Sequence, residues 1–309
     1  MRNAFAAEVT EIANANENVV LLSGDIGNKL FDRYKEVAPD RFFNCGIAEA
    51  NMIGTAAGMA MCGLKPIVYT IVPFITTRCL EQIKIDLCYH NAPVVVVGVG
   101  GGLSYAGLGA THHSFEDIAI LRVLPRMKVV CPGDPVEVRL AVRAALESDT
   151  PVYIRLGKKG EKPVHQETPD FEIGKCITVR EGHEVCILST GNLLSLAMAC
   201  SDALELQSIG SQVVSFHTVK PLDESALDEF FSRFRLVVTL EEHSLIGGFG
   251  SAVSDWKNRC GGAAELITFG LSDKFLCEGG NQAYAREQFG LTIERIVPSI
   301  LTALKRVVI

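Results

Sequence analysis

Residues 93–113 read PVVVVGVGGGLSYAGLGATHH, an apolar run that leads into a glycine-rich loop and ends in Thr-His-His. The apolar run is nearly continuous, which is typical of a parallel strand covered on both faces. Similar runs occur at residues 19–23, 66–70, 127–131 and 152–155. Segments of helical pattern flank these runs and predict helices at roughly 2–15, 48–61, 78–88 and 135–147. This alternation predicts an α/β fold with a doubly wound, mostly parallel sheet.

A change of composition divides the chain. Residues 158–170, KKGEKPVHQETPD, are polar and include two prolines, which indicates a linker. A second alternating unit follows, with predicted strands at 185–189, 212–216, 236–240 and 264–269. A length of 309 residues agrees with about two domains. We therefore predict two consecutive doubly wound domains, residues 1–160 and 175–309, joined by a linker at 161–174.

Composition narrows the classes of function. The chain is 48% hydrophobic, which excludes a disordered protein, and its net charge of -7 without a basic stripe argues against nucleic-acid or membrane-surface binding. No apolar run is long enough to span a membrane, and no secretion signal is visible. None of the ten cysteines forms a CxxC motif. We therefore expect reduced thiols, no structural zinc and a cytoplasmic location.

One carboxylate stands out in residues 45–61, CGIAEANMIGTAAGMAM, where Glu49 is the only charged residue. A helical glutamate is usually a solvated surface residue, but no polar face recurs here at helical spacing, and this favours burial. A buried carboxylate is costly unless it is paired or protonated. Glu49 is therefore a candidate for acid–base chemistry.

The glycine-rich loop after the strand at 93–99 does not fit a dinucleotide-binding fingerprint, because Leu103 stands where the third glycine is required. A mobile loop that lines a ligand fits better. His112 and His113 are adjacent and would point opposite ways in an extended segment, so we do not expect them to chelate one metal ion. One of them could face a cleft, or be a loop histidine satisfied by backbone groups.

Two further residues lie near the ends of predicted strands, where parallel α/β sheets bind ligands. Phe74 follows Pro73 after the strand at 66–70, and it belongs either to the core or to a stacking site. Arg155 ends the strand at 152–155 and could form an ion pair or bind an anion or hydroxyl group.

Residues 240–253, LEEHSLIGGFGSAV, predict a strand, a loop with Glu241, Glu242 and His243, and a glycine-rich helix start. A helix N-terminus can bind an anion, but two acidic residues directly before it argue against that use. Packing or an interface is the favoured interpretation.

Five motifs together resemble a known family. They read FFNCGIAEANMIGTAAGMAMCGLKP (42–66), YTIVPFITTRCLEQIKID (69–86), GLGATHHSFEDIAILRVLP (107–125), KVVCPGDPVEV (128–138) and VVTLEEHSLIGGFGSAV (237–253). In this order they resemble the C-terminal two-thirds of transketolases and 1-deoxyxylulose-5-phosphate synthases, and most closely the separate C-terminal subunit of split bacterial transketolases. The resemblance implies a pyrimidine-binding domain followed by a transketolase C-terminal domain.

The resemblance also implies roles for single residues. Glu49 would bond the ring nitrogen of the aminopyrimidine of thiamine diphosphate, Phe74 would stack on that ring, and Asp25 would lie near the cofactor and the substrate channel. His112 would contact the substrate and act in catalysis. Arg155 would bind the distal phosphate of a sugar phosphate.

One part of the family's cofactor site is missing. The diphosphate and its metal ion are normally held by a GDG motif that is followed about 25–30 residues later by asparagine, and this sequence has no such pair. The resemblance therefore implies no metal ligands in this chain. It implies a partner, the N-terminal transketolase subunit, that binds Mg²⁺ or Ca²⁺ and completes the thiamine diphosphate site in an α2β2 heterotetramer.

The substrate is expected to be a sugar or sugar phosphate, and two departures from the family's sequence pattern bear on its identity. The loop at 106–110 lacks the acidic residue that contacts a sugar hydroxyl in many transketolases, and Gly100 stands where histidine is common. His113 replaces the usual glutamine and could compensate as a substrate contact. The alternatives are a 2-oxo-acid dehydrogenase β subunit, a synthase that decarboxylates pyruvate, and a non-catalytic partner homologue.

Overall fold

Two β-sheets flanked by helices make up the protein in a computed structural model, which describes residues 1–27, 29–158 and 160–307. The strands are β1 (Val19–Ser23), β2 (Phe42–Asn44), β3 (Lys65–Ile71), β4 (Val95–Val99), β5 (Lys128–Val130), β6 (Val152–Leu156), β7 (Ile177–Arg180), β8 (Val185–Ser189), β9 (Ser211–Ser215), β10 (Thr218–Lys220), β11 (Leu236–Ser244) and β12 (Glu265–Leu271).

The α-helices lie on the faces of these sheets. They are α1 (Arg2–Ala15), α2 (Asp32–Val37), α3 (Glu49–Met61), α4 (Val72–Ile75), α5 (Leu80–Gln82), α6 (Asp117–Arg122), α7 (Pro135–Leu146), α8 (Leu194–Glu205), α9 (Glu224–Arg233), α10 (Phe249–Cys260), α11 (Gln282–Gln288) and α12 (Ile293–Val307). Short 3₁₀ turns include Thr77–Cys79 and Ala106–Leu108, and a π-helix spans Ile83–Tyr89.

The first sheet has the strand order β10-β5-β6-β4-β3-β1-β2, and all its pairings are parallel except β10 with β5. One face is covered by α1 and α7, and the other by α3 and the π-helix. Local chemistry fixes where α7 begins. The Asp134 side chain accepts hydrogen bonds from the amides of Val136 and Glu137, and Pro135 takes the first helical position. The predicted parallel α/β architecture is confirmed.

The second sheet has the order β12-β11-β8-β9-β7, in which only β7 is antiparallel to its neighbour. Its two faces carry α8 with α12 and α9 with α10. The two domains share a core, because one cluster of buried residues contains Met52 and Val68 of the first and Phe216 and Trp256 of the second. β10, which follows β9 in sequence, joins the edge of the first sheet.

The structure differs from the sequence-based expectation in one helix. A single helix was expected at 78–88, whereas the chain forms a 3₁₀ turn, the short α5 and the π-helix. No helix among residues 1–27, 29–158 and 160–307 combines the length and the apolarity needed to cross a membrane.

Candidate active site

The candidate active site lies at the carboxyl ends of β1, β3 and β4, which are neighbours in the first sheet. Glu49 is the first residue of α3 and is 7% exposed. The segment before it is tied to β1, because Cys45 N donates to Ser23 O and Asp25 N donates to Gly46 O, at 2.8 and 3.1 Å.

The Glu49 carboxylate lacks a close donor within the part of the chain that the structure describes. Among the described residues its partner is Arg78, whose Nη1 lies 3.7 Å from Oε2, beyond hydrogen-bond length. A buried carboxylate without a donor is costly, so a donor supplied by a ligand would be favourable here. Glu49 thus fits the role expected from the resemblance, a bond to a ring nitrogen.

Phe74 lies in α4, directly after β3, and is half-buried. The guanidinium of Arg78 stacks over the ring at 4.0 Å, and the His112 ring approaches edge-on at 5.2 Å. Arg78 therefore bridges the carboxylate and the aromatic ring that were predicted to hold the pyrimidine. Three of the predicted residues, Glu49, Phe74 and His112, belong to one continuous set of contacts.

His112 lies in the loop between β4 and α6. Its ring meets the edge of Tyr105 at 6.0 Å, and Nδ1 is 2.9 Å from the Thr111 hydroxyl. Burial lowers the pKa of His112, and the nearby charges of His113 and Arg78 lower it further. A neutral imidazole can accept a proton as well as donate one, so His112 is suited to acid–base or hydroxyl contacts at neutral pH.

His113 faces away from this site. It is buried, its ring stacks on Phe115 at 5.5 Å, and Nε2 lies 3.1 Å from Ala106 O. The two adjacent histidines do point to different surroundings, and only His112 contacts the candidate site. The expected substrate contact of His113 has no support in this geometry, because the ring is enclosed by its own loop.

Arg155 is placed differently from its expected role as a phosphate ligand. It is 4% exposed, and its Nε and Nη2 donate to the two carboxylate oxygens of Asp117 at 2.7 and 3.2 Å. Nη2 also donates to Ser114 O and Glu242 O. The guanidinium is thus committed to a buried ion pair within the first domain, which was the other interpretation of the sequence, and to a backbone contact with Glu242 of the second domain.

Lys158, three residues after Arg155, supplies a cation that the sequence reasoning missed. It is half-buried, and its Nζ lies over the Tyr105 ring at 4.4 Å. Burial raises the pKa of Tyr105, and the positive charge of Arg2 opposes that rise. Arg2 therefore also acts electrostatically on Tyr105. The sequence signal that could have indicated Lys158 is the KK pair after the predicted strand that ends at Arg155. For Arg78, it is the spacing of four from Phe74, which in a continuous helix puts two residues on one face, although in the structure α4 ends at Ile75 and Arg78 lies in the next 3₁₀ turn.

Asp25 follows the end of β1 and is exposed. The Asn44 side-chain amide donates to its carboxylate at 3.4 Å, so Asp25 lies beside the segment that leads to Glu49. Within the described residues, no three His, Cys, Asp or Glu side chains form a group that could hold a metal ion.

In comparisons with known proteins, both halves of the chain match models of protein domains. Residues 1–161 match the transketolase pyrimidine-binding domain, and residues 174–296 match the transketolase C-terminal domain. The chain belongs to the transketolase family. The matched ranges coincide with the two sheets, apart from β10, which joins the first sheet from within the second match.

Relatives of similar length include subunits of other transketolases. This transketolase-family chain is 36% identical to a 6-deoxy-6-sulfo-D-fructose transketolase subunit of Clostridium sp. (strain MSTE9), covering 96% of this chain and 92% of that one. It is 32% identical to a subunit of the apulose-4-phosphate transketolase of Phocaeicola vulgatus, covering 99% and 97%. A solved structure described as a split gene transketolase, inactive beta4 tetramer, superposes with a TM-score of 0.91 at 33% identity and covers 98% of both chains.

Proposed function

We propose that this chain is the C-terminal subunit of a split, thiamine diphosphate-dependent transketolase that transfers a two-carbon ketol unit between sugars or sugar phosphates. The observation that carries the proposal is the placement of Glu49 in one contact set with Phe74 and His112. Glu49 is a buried carboxylate that has no hydrogen-bond donor among the described residues. The resemblance to split transketolase subunits along nearly the whole chain supports it.

Each residue then has a task. Bound thiamine diphosphate supplies a carbon nucleophile for the sugar carbonyl. Glu49 holds a proton at the pyrimidine ring nitrogen, Phe74 orients that ring by stacking, and Asp25 borders the channel. His112 binds and exchanges protons with the substrate hydroxyl and carbonyl groups, since burial keeps its imidazole neutral.

The cofactor's diphosphate and its Mg²⁺ or Ca²⁺ belong, in this proposal, to an N-terminal partner subunit. Two supports are the lack of a GDG-to-asparagine motif in the sequence and the description of the relatives as subunits. We infer an α2β2 heterotetramer, and we expect the chain alone to be inactive, as the related beta4 tetramer is described to be. A cytoplasmic location agrees with ten cysteines that are all free thiols.

The substrate is proposed to be a ketose with an anionic substituent. Relatives are named for a sulfonated and a phosphorylated sugar. In this chain Lys158 and Arg2 place positive charge beside Tyr105, which contacts His112. These two cations replace Arg155 as the proposed anion contacts.

The test is reconstitution with the partner subunit. Wild-type complex with thiamine diphosphate and Mg²⁺ is expected to transfer ketol units from a phosphorylated or sulfonated ketose. Glu49→Gln is expected to lower kcat by at least about 10²-fold while the complex still assembles, because the amide cannot share the proton in the same way. Glu81→Gln, an exposed change in α5, is the matched control. Near-normal turnover by Glu49→Gln, or use of pyruvate instead of ketoses, would contradict the proposal.

A further inference from the structure

The loop that carries Tyr105 and His112, residues 100–114, is held by the second domain. We call it the histidine loop. Leu103 and Ala106 are buried in the core of the second domain, beside residues of β8, β11 and α8. The loop therefore leaves the first sheet, enters the second domain, and returns to present His112 to Phe74.

Glu242 in β11 makes a direct polar contact with this loop, and Asn192 Nδ2 and Gln282 Nε2 approach the Ser104 hydroxyl of the loop at a longer 3.4 Å. Its Oε1 accepts a hydrogen bond from the Leu103 amide at 2.8 Å and another from Gln282 Nε2 at 2.9 Å. Its Oε2 pairs with Arg286 Nε, and Asn192 Nδ2 donates to Oε1 at 3.3 Å. The Glu242 side chain is fully buried, and these donors fix its orientation.

The backbone of the same residue fixes the two stems of the loop. Glu242 O accepts from Arg155 Nη2 at 3.0 Å, and the same Nη2 donates to Ser114 O at 3.1 Å. Gly102 and Ser114 in turn exchange both amide–carbonyl bonds at 3.1 Å. Gly102 lies so close that an added Cβ would overlap Glu242 O, and its φ is +64°. Both ends of the histidine loop thus meet at Glu242.

We propose that Glu242 is a positioning residue of the active site, which holds the histidine loop from the second domain so that His112 stays against Phe74. Glu242 does not contact His112, and it acts through the Leu103 amide and the Ser114 stem. The catalytic meaning of this proposal rests on the proposed function, but the positioning itself is a property of the chain. It assigns a role in the active site to the C-terminal domain.

The adjacent Glu241 provides a matched control. It lies in the same strand and is equally buried, but its carboxylate accepts from the amides of Phe249 and Gly250 at 2.6 and 2.7 Å, at the start of α10. These contacts stay within the second domain. Glu241→Ala therefore reports the cost of losing a buried glutamate from β11 without releasing the histidine loop.

The first experiment is an NMR titration of the His112 ring in the full chain without partner, for wild type, Glu242→Ala and Glu241→Ala. In Glu242→Ala the freed loop exposes His112, so its pKa should rise toward the ordinary value of about 6.5. Glu241→Ala should leave the His112 pKa unchanged, although both variants lose stability. Glu242→Gln keeps an acceptor for the Leu103 amide but places an amide instead of a carboxylate beside Arg286. If Glu242→Ala does not fold, Glu242→Gln is expected to give a smaller rise in the His112 pKa. An unchanged His112 pKa in every folded Glu242 variant, or an equal change in Glu241→Ala, overturns the proposal.

The second experiment uses the reconstituted complex and a double-mutant cycle. Glu242→Ala is expected to lower kcat/KM by about 10²-fold, as for a misplaced catalytic group. In the His112→Ala background the same change should have little further effect, because both variants remove one function. Independent, multiplicative losses contradict positioning through His112. If the wild-type complex has no ketol-transfer activity, the proposed function fails, and the titration still decides whether Glu242 positions the loop.

Discussion

Replacing Arg155 with methionine should destabilise the fold rather than weaken phosphate binding. The change removes the cation from Asp117, whose carboxylate is completely buried and receives Arg155 Nε at 2.7 Å and Nη2 at 3.2 Å. Loss of one member of a buried pair costs about 3–5 kcal/mol. The hydroxyls of Ser114 and Tyr153 still donate to Asp117, each at 2.7 Å, which offsets part of the loss. Arg155→Met also removes donors from Ser114 O and Glu242 O, so we expect about 4 kcal/mol.

Denaturant unfolding, followed by the fluorescence of buried Trp256, measures this free energy. The Asp117→Asn variant should be destabilised as well, and the double variant should lose less than the sum of the two single losses. Unchanged unfolding of Arg155→Met, with a raised KM for phosphorylated sugars alone, would refute this reasoning. That result would restore Arg155 as a phosphate ligand.

Two further predictions concern other charged contacts. His165 Nε2 lies 2.7 Å from buried Glu137, and although burial opposes it, this partner raises the pKa of His165. The pair's stabilisation is therefore complete below about pH 6.5 and is lost as pH rises through the folded pKa. His165→Gln should reduce the decline of the unfolding free energy with pH, measured from about pH 6 to 9. A decline as steep as that of wild type would contradict this prediction. Arg78→Ala should tighten thiamine diphosphate binding by the complex about two- to twentyfold, because the guanidinium over Phe74 must otherwise leave. Weaker binding of thiamine diphosphate by the Arg78→Ala complex, measured by calorimetry, would contradict the idea that the guanidinium has to leave Phe74.

The elements that could be predicted from the sequence are those with strong local patterns. The bounds of α1, β1 and β8 agree with the sequence-based expectation, because apolar periodicity or a closed apolar run marks both ends. Three-residue strands such as β2 and β10 carry too little pattern of their own. β10 forms because Thr218 and Lys220 meet the open edge of β5, a contact between distant segments.

The candidate site was predictable where one motif sufficed. The burial of Glu49 follows from its apolar neighbours. The role of Arg155 depended on Asp117, which is 38 residues away in sequence and adjacent only in the fold. The task of Glu242 likewise depends on a loop 139 residues distant. The sequence favoured packing or an interface there, and the structure shows an interface between the domains.

The central claim is that this chain holds the pyrimidine half of a shared cofactor site. Isothermal titration of thiamine diphosphate with Mg²⁺ into the chain alone, the partner alone and their mixture tests it most directly. We predict tight, metal-dependent binding by the mixture only, and loss of that binding enthalpy on Phe74→Ala in this chain. Tight, Mg²⁺-dependent binding by this chain without its partner would contradict the account.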